Sequence, residues 1–351
     1  MIQLPLKIEK SITEILSRVE QNTWTKSALR LSAKYRLNRS MMDEQEDRFV
    51  EGSDEVFGYL ALRATATYAQ LHGAMSHIFK LIPNWQPTSI LDIGSGPGTA
   101  VWAARELWPE INTITCLEKD DNFSKIGKEI LKDNLEKSVV INWKTIDLSL
   151  SKPEIETKYD LVTIGSVLNE MTQDQQKNIL EFANDHCRCV LLVVEPGTPK
   201  GFEVIKHTSL YLRTQTGILL APYINNGLVT STLDQIGFGQ SITRPQFLKR
   251  IRQMQRKLSS TKDKPLLPAS DWEEAKYTYV ASSVLPAQIS PWARLVAKPV
   301  MAKAYIELKI LTKDKVSTIK VLKSDKVVYK VIKRMKWGDL IDSGLRGIVR
   351  S

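Results

Sequence analysis

SILDIGSGPGTAVWAAREL, from Ser89 to Leu107, reads as a short buried strand, a glycine loop and the first turns of a helix. Gly94, Gly96 and Gly98 fall at alternate positions directly after the strand. A tight turn there needs backbone angles open to glycine, and no side chain then separates the backbone from a ligand. A dinucleotide-binding loop would set its third glycine at position 99, which is Thr99, and a P-loop would need a lysine followed by Ser or Thr at the helix start, which is absent. Nicotinamide and nucleoside-triphosphate chemistry therefore lose ground to S-adenosylmethionine, a nucleoside without phosphate. Its amino-acid end would be held by Asp92 and the amides of Gly94, Ser95, Gly96 and Gly98. Glu118 follows Gly98 by twenty residues, near the distance at which an acid accepts from both ribose hydroxyls. Asp147, closing the third candidate strand, is placed to accept from the adenine amino group. The alternative is that the glycines only close a turn, with Glu118 and Asp147 as solvated strand-end carboxylates.

Outward from this loop, short β-rich runs alternate with amphipathic stretches, the pattern of parallel strands joined by crossover helices. The runs are SILDI, TITCLE, VVINWKTI, DLVTIGS and CVLLVVE. They predict a doubly wound, Rossmann-like α/β sheet, with a helix over Gly201 to Thr216, strand character in GILLAPYIN, and KYTYVASSV (Lys276 to Val284) as a strand added at the sheet edge. Upstream, Ile8, Ile12, Ile15, Leu16 and Val19 mark one helix face, and Phe57, Leu60, Ala64, Tyr68 and Leu71 mark a long helix over Asp54 to Leu81. Beyond Pro291, AYIELKILT, VSTIKVL and KVVYKVI read as three strands of a small β module. The expected division is an N-terminal helical region over residues 1–82, a methyltransferase-type domain over 83–284 and a basic C-terminal module over 292–351.

The 351 residues allow more than one core. An apolar content of 42% with 25% charged residues suits a folded globular chain. Cys116, Cys187 and Cys189 are too few for a disulfide scaffold and lack paired zinc spacing. The first sixteen residues, with Glu9 and Glu14 among the lysines, resemble neither a secretory signal nor an acid-poor transit peptide, so a cytoplasmic address is expected. No apolar run is long enough for a bilayer span, so no membrane is expected as a partner.

The net charge of +10 is uneven: residues 292–351 carry fifteen Lys and Arg against five Asp and Glu, and residues 242–264 carry eight against one. An anionic partner fits both clusters, with phosphate neutralisation as the source of affinity. Candidate RNA contacts are Lys249, Arg250, Arg252 and Arg256 in the first cluster and Lys303, Lys333, Arg334, Lys336 and Trp337 in the second. Tyr305 and Tyr329, like Trp337, could stack on unpaired bases. The alternative is a solvated surface with core aromatics.

Methyl transfer needs positioning more than a general base. The fourth strand runs into GSVLNEM, without the Asn or Asp, two prolines and aromatic of base N-methyltransferases. Asn169 and Glu170 are the candidates for acceptor contacts, with capping of the helix near Thr172 as their alternative role. Glu195, after the fifth strand, is similarly placed. His186, Cys187 and Cys189, read as neighbours on a strand, would point to opposite faces, so no metal is expected.

LALRATATYAQ (Leu60 to Gln70), SILDIGSGPGTAVWAARELWP (Ser89 to Pro109), VVEPGTPKGFE (Val193 to Glu203) and VVYKVIKRMKWGDLI (Val327 to Ile341) resemble the methyltransferase-like family of the small ribosomal subunit, which spans bacteria and mitochondria. The resemblance implies a class I methyltransferase fold, binding to the small ribosomal subunit or its precursor and to rRNA, and a part in subunit maturation. Two readings follow: an RNA methyltransferase, or an assembly factor that keeps the fold without the transfer. A methyltransferase acting on small molecules or proteins is disfavoured by the basic tail. Three departures stand out. Thr65 replaces a proline of the family pattern, and residues Ala302 to Ala304 replace a glycine. Tyr223, Val229 and Gly237 occupy places where the family carries cysteines, so no iron–sulfur cluster is expected.

Overall fold

The computed structural model describes residues 2–37, 53–151, 153–215, 217–222, 239–243, 273–313 and 315–345. Its centre is a sheet whose first five strands are parallel: β1 (Ser89–Ile93), β2 (Thr113–Glu118), β3 (Val140–Thr145), β4 (Tyr159–Gly165) and β5 (Cys187–Pro196). With β6 (Ile218–Ala221), β7 (Gly239–Thr243) and β8 (Glu273–Ser283), the strand order is β3-β2-β1-β4-β5-β8-β6, and β7 also pairs with β8. Chain order reverses between β1 and β4, which makes their carboxyl ends the switch point where such sheets bind ligands. Every residue of β1 is buried, as a strand covered on both faces requires. In the edge strand β3, Ile141 and Trp143 are half-buried and the other residues exposed.

The run at Lys276 to Val284 forms β8, but not at the edge: it lies between β5 and β6, antiparallel to both. Its residues Tyr277, Tyr279, Val280 and Ala281 are buried, which an edge position would not allow on both flanks.

The crossover helices are α5 (Thr99–Leu107), α6 (Asp121–Asn134), α7 (Gln173–Asp185) and α8 (Pro199–Arg213). The starts of α6, α7 and α8 are set by side chains that satisfy otherwise orphaned amides. The Asp120 carboxylate accepts from the Asn122 amide at 2.7 Å, and Thr198 from that of Gly201 at 3.1 Å. Thr172 and Gln175 form a capping box on α7. Thr172→Ala is therefore expected to cost about 1 kcal/mol, read as a lowered urea midpoint; an unchanged midpoint would deny the box a role in solution. His186 is the residue that closes α7 rather than part of a strand, so it does not alternate with Cys187 and Cys189 as expected.

Ahead of the sheet lie α1 (Leu6–Ser17), α2 (Gln21–Leu37), α3 (Ser53–Leu62) and α4 (Ala64–Leu81). The long helix expected over Asp54 to Leu81 is broken at Arg63. The apolar rhythm runs through the break because hydrogen bonds on either side keep the turns in step: the Arg63 amide donates to Tyr59 O at 2.7 Å and Thr67 to Arg63 O at 2.9 Å. α1 rests on α6, where Asn134 donates to Ser11 Oγ at 2.8 Å and Arg18 pairs with Glu129. Among the described residues no helix is long and apolar enough to cross a membrane.

A second hydrophobic cluster is built by β9 (Ala293–Leu295), β11 (Tyr305–Leu311), β12 (Val316–Leu322), α9 (Lys326–Ile332) and β13 (Leu340–Ile341), with the exposed strand β10 (Val300–Met301) paired to β11. KVVYKVI is helical, not a third strand. Val328 and Ile332, four apart, are buried while Val327 is 80% and Val331 47% exposed. That division suits one helix face, whereas a strand would have buried alternate residues.

Arg294 joins this cluster to the main sheet. Fully buried, it donates to Pro222 O and Gly338 O, each at 2.8 Å, and lies 3.2 Å from His77 Nδ1. Burial and the neighbouring Arg294 hold the His77 pKa well below its usual value, so the neutral ring accepts, with the Tyr279 hydroxyl also 2.9 Å from Nδ1.

Candidate functional site

The carboxyl ends of β1, β2 and β4 open onto a crevice of about 680 Å³, within the roughly 300 to 1,000 Å³ typical of small-molecule pockets. Its floor is the glycine loop. Gly94, Gly96 and Gly98 have φ of 67°, 52° and 93°, the left-handed region that side chains disfavour. A Cβ on Gly94 would stand 2.3 Å from Val167 Cγ2, while one on Gly96 would meet nothing within 4 Å. The first glycine admits Val167, and the second leaves space above the loop.

Glu118, only 8% exposed, lines the crevice from the end of β2. It accepts from the Gly96 amide at 2.7 Å through Oε2 and from the Asp120 amide at 2.9 Å through Oε1. Burial raises its pKa and these amides oppose the rise. Asp147 lines the same crevice, and its Oδ1 accepts from the amide and hydroxyl of Ser149 at 2.9 and 2.6 Å.

Asp92 and Ser95 are both buried, and neither lines the crevice. Asp92 is 2% exposed; one oxygen accepts from the Thr163 hydroxyl at 2.8 Å and the other has no partner. Burial pushes its carboxyl up to about 7 against the pull of Thr163. The loop amides expected to receive the ligand are engaged within the protein. Gly94 and Ser95 donate to Leu117 O at 2.8 and 3.0 Å, Gly96 to Glu118, and Gly98 to Ser95 O at 2.8 Å.

β4 is followed by Ser166, whose φ of 59° is unusual for a side-chain-bearing residue, a strain that clusters at functional sites. A 3-10 turn, Leu168–Glu170, follows and brings Asn169 and Glu170 to the crevice. Neither caps α7, since Thr172 does. Glu195, with no exposed surface, lies beneath this turn and accepts from the Leu168 amide at 2.9 Å, while its other oxygen has no partner. It does not line the crevice, so it positions the turn rather than touching a ligand.

Burial pushes the Glu195 carboxyl up to about 8 from an ordinary 4.5. Between those values the native state holds the proton that the unfolded chain releases, so wild-type stability falls as pH rises through the window, by on the order of 4 kcal/mol. Glu195→Gln, which keeps the acceptor for Leu168, has no proton to lose. Its denaturation midpoint relative to wild type is expected to be higher at pH 9 than at pH 5; the same difference at both pH values would refute the assignment.

The sequence reading missed the roof. Tyr59, Arg63 and Thr67 line the crevice from α3, the break and α4, and the Tyr59 ring meets Phe123 edge-on at 5.2 Å. The available signal was an i, i+4, i+8 row of polar-tipped residues on otherwise buried helices. The cysteines stay out of the chemistry: burial pushes the Cys116 thiol well up and that of Cys187 to about 12.

Of the expected RNA contacts, Lys249, Arg250, Arg252 and Arg256 lie outside the described residues, as do Tyr223, Val229 and Gly237 at the family's cysteine places. Lys303, Lys333, Arg334 and Lys336 are exposed. Trp337 is half-buried under Lys276, whose Nζ is 5.8 Å from the ring, and Tyr305 lies 4.8 Å from Lys320 Nζ. Tyr329 packs against the second hydrophobic cluster.

A doubly wound sheet with a late antiparallel strand inside it, a glycine loop after β1 and an acid closing β2 define a class I methyltransferase-like fold. The family model for the mitochondrial small ribosomal subunit protein Rsm22 matches residues 53–342, and the chain belongs to that family. It is 22% identical over 183 residues to the human "Ribosome assembly protein METTL17, mitochondrial", covering 52% of this chain and 40% of that protein. It is 26% identical over 220 residues to "Rsm22-cox11 tandem protein 2, mitochondrial" of Schizosaccharomyces pombe, covering 59% and 27%. The chain thus spans well under two thirds of either relative's length. Among solved structures, the methyltransferase domain of bacterial CtHen1 aligns with TM-score 0.40 at 10% identity over 63% of this chain and 99% of that one. The N-methyltransferase NodS of Bradyrhizobium japonicum, in complex with S-adenosyl-L-homocysteine, aligns with TM-score 0.36 at 9% identity, covering 60% and 84%.

These relatives overturn the cytoplasmic address: they are mitochondrial proteins, and the family's description names the mitochondrial small subunit. The first residues, read as too acidic for a transit peptide, build α1 and place Ile8, Ile12, Ile15 and Leu16 in the core.

Proposed function

We propose that the chain binds S-adenosylmethionine in the crevice and works with the small ribosomal subunit or its precursor, methylating rRNA or assisting assembly. The observation that carries the cofactor reading is Glu118, a buried carboxylate held by the Gly96 amide at the edge of the crevice, with open space where a Cβ on Gly96 would stand. Glu118 would take the ribose hydroxyls and Asp147 the adenine amino group. Asp92, behind the loop with one oxygen unpartnered, would favour the ammonium of the amino-acid end. The bound cofactor would supply a methyl group activated on a sulfonium. The chain's own part is to hold that group at the β4 end, where Asn169 and Glu170 would meet an acceptor.

Residues 83–284 serve in this reading as the methyltransferase-type domain and residues 292–351 as a basic module, with Lys303, Lys333, Arg334, Lys336 and Trp337 toward rRNA. The basic cluster of Lys249, Arg250, Arg252 and Arg256 would add to it. Such contacts neutralise phosphates, so affinity should fall steeply with salt. The second reading, assembly without transfer, is favoured by the turn after β4, which lacks the acceptor motif of base N-methyltransferases. Incubation with methyl-labelled cofactor and immature or mature small subunits separates the two. Label in rRNA supports transfer, binding without label supports the assembly factor, and no binding to either subunit form overturns the ribosomal reading.

A further inference from the structure

The amino-acid end of the cofactor carries a carboxylate as well as an ammonium, and the crevice is poorly disposed toward a second negative charge. Glu118, Asp120, Asp121, Asp147 and Glu170 all line it. The usual remedy, a row of free loop amides, is missing. The amides of Gly94, Ser95, Gly96 and Gly98 each donate within the protein at 2.7 to 3.0 Å, and Pro97 has none to offer. The carboxylate must therefore find a cationic side chain. Among the described residues lining the crevice the cations are Arg63 and Lys119. Lys119 is exposed and directly follows Glu118, on the ribose side.

Arg63 lies elsewhere. Tyr59, Arg63, Thr67 and Leu71 follow one another at i, i+4 spacing, which aligns them along one helix face. Tyr59 anchors one end of that row on Phe123, beside Glu118. Leu71 anchors the other at Gly165, where its Cδ2 is 3.2 Å from the position a Cβ would take. The row thus crosses from the end of β2 to the end of β4, with Arg63 at the break between α3 and α4, lining the crevice between those ends.

We propose that Arg63 receives the carboxylate of the cofactor's amino-acid end, closing the crevice from the helical side; this rests on the nucleoside-binding reading above. A guanidinium fork matches a carboxylate through two parallel hydrogen bonds and keeps its charge at every working pH. The arrangement makes the N-terminal helices part of the ligand site.

Calorimetry on the full chain tests it with two probes, S-adenosylhomocysteine and its decarboxylated analogue, S-adenosyl-3-thiopropylamine. Wild type is expected to prefer the carboxylate-bearing probe by about 10- to 100-fold, the range for hydrogen bonds to charged groups. Arg63→Met should lose that preference, binding S-adenosylhomocysteine more weakly by the same factor and the analogue at wild-type strength or slightly better. Should Arg63→Met not fold, Arg63→Gln replaces it with the same expectation. A wild type without preference, or a variant that keeps it, overturns the assignment of Arg63 and leaves the nucleoside reading standing. A wild type that takes up neither probe overturns both.

Discussion

Replacing Glu118 by Gln is expected to weaken S-adenosylhomocysteine binding by about 100-fold or more, on the order of 3 kcal/mol. The carboxylate accepts from two amides, Gly96 at one oxygen and Asp120 at the other. A carboxamide has only one oxygen, so its NH2 group must face one of these donors. The loop or the Asp120 turn then shifts, and the ribose hydroxyls lose a charged acceptor whose hydrogen bonds are the stronger kind. Burial adds to the effect, because a mismatched polar group there has no water to turn to. Calorimetry with the purified chain measures it, with circular dichroism to show that the fold persists. Affinity within twofold of wild type would remove the ribose role from Glu118.

Gly94→Ala is expected to destabilise the fold by about 2 to 5 kcal/mol. Two costs add. A side chain in the left-handed region costs roughly 1 to 2 kcal/mol, and Gly94 has φ of 67°. Overpacking costs roughly 1 to 3 kcal/mol more, because the new methyl would stand 2.3 Å from Val167 Cγ2 and a β-branched side chain has little rotamer freedom to withdraw. Urea unfolding of Gly94→Ala, Val167→Ala and the double variant separates the terms. The double variant should recover the collision and keep the backbone strain. A loss below 0.5 kcal/mol for Gly94→Ala would mean the loop relaxes freely, contrary to the packing described.

What could be read from sequence was local. The loop from Gly94 to Gly98 and the acid at Glu118 lie within thirty residues, and each carries its own chemical reason for being where it is. β1 to β5 were legible because their apolar runs are bounded by turn residues. KVVYKVI was misread since Val and Ile mimic a strand, and only the burial of Val328 and Ile332 against exposed Val327 and Val331 reveals a helix. The place of β8 was illegible for another reason: pairing partners are set by tertiary competition for the β5 edge, which no local pattern encodes. Arg63 was hidden similarly, since the break between α3 and α4 meets the crevice only in the folded chain. Arg294 looked like one more unit of tail charge, yet it is spent on carbonyls in the interior.

The insertion of β8 between β5 and β6 has a consequence for biosynthesis. As the polypeptide emerges from the translating ribosome, β5 and β6 are made well before the strand that must separate them. Until residue 283 is free, two hydrogen-bonding rims remain available for wrong partners, including each other. Open rims of this kind are where chains self-associate. A nascent polypeptide halted before position 273 would therefore be a target for chaperones, and completion of the sheet is timed to the release of β8.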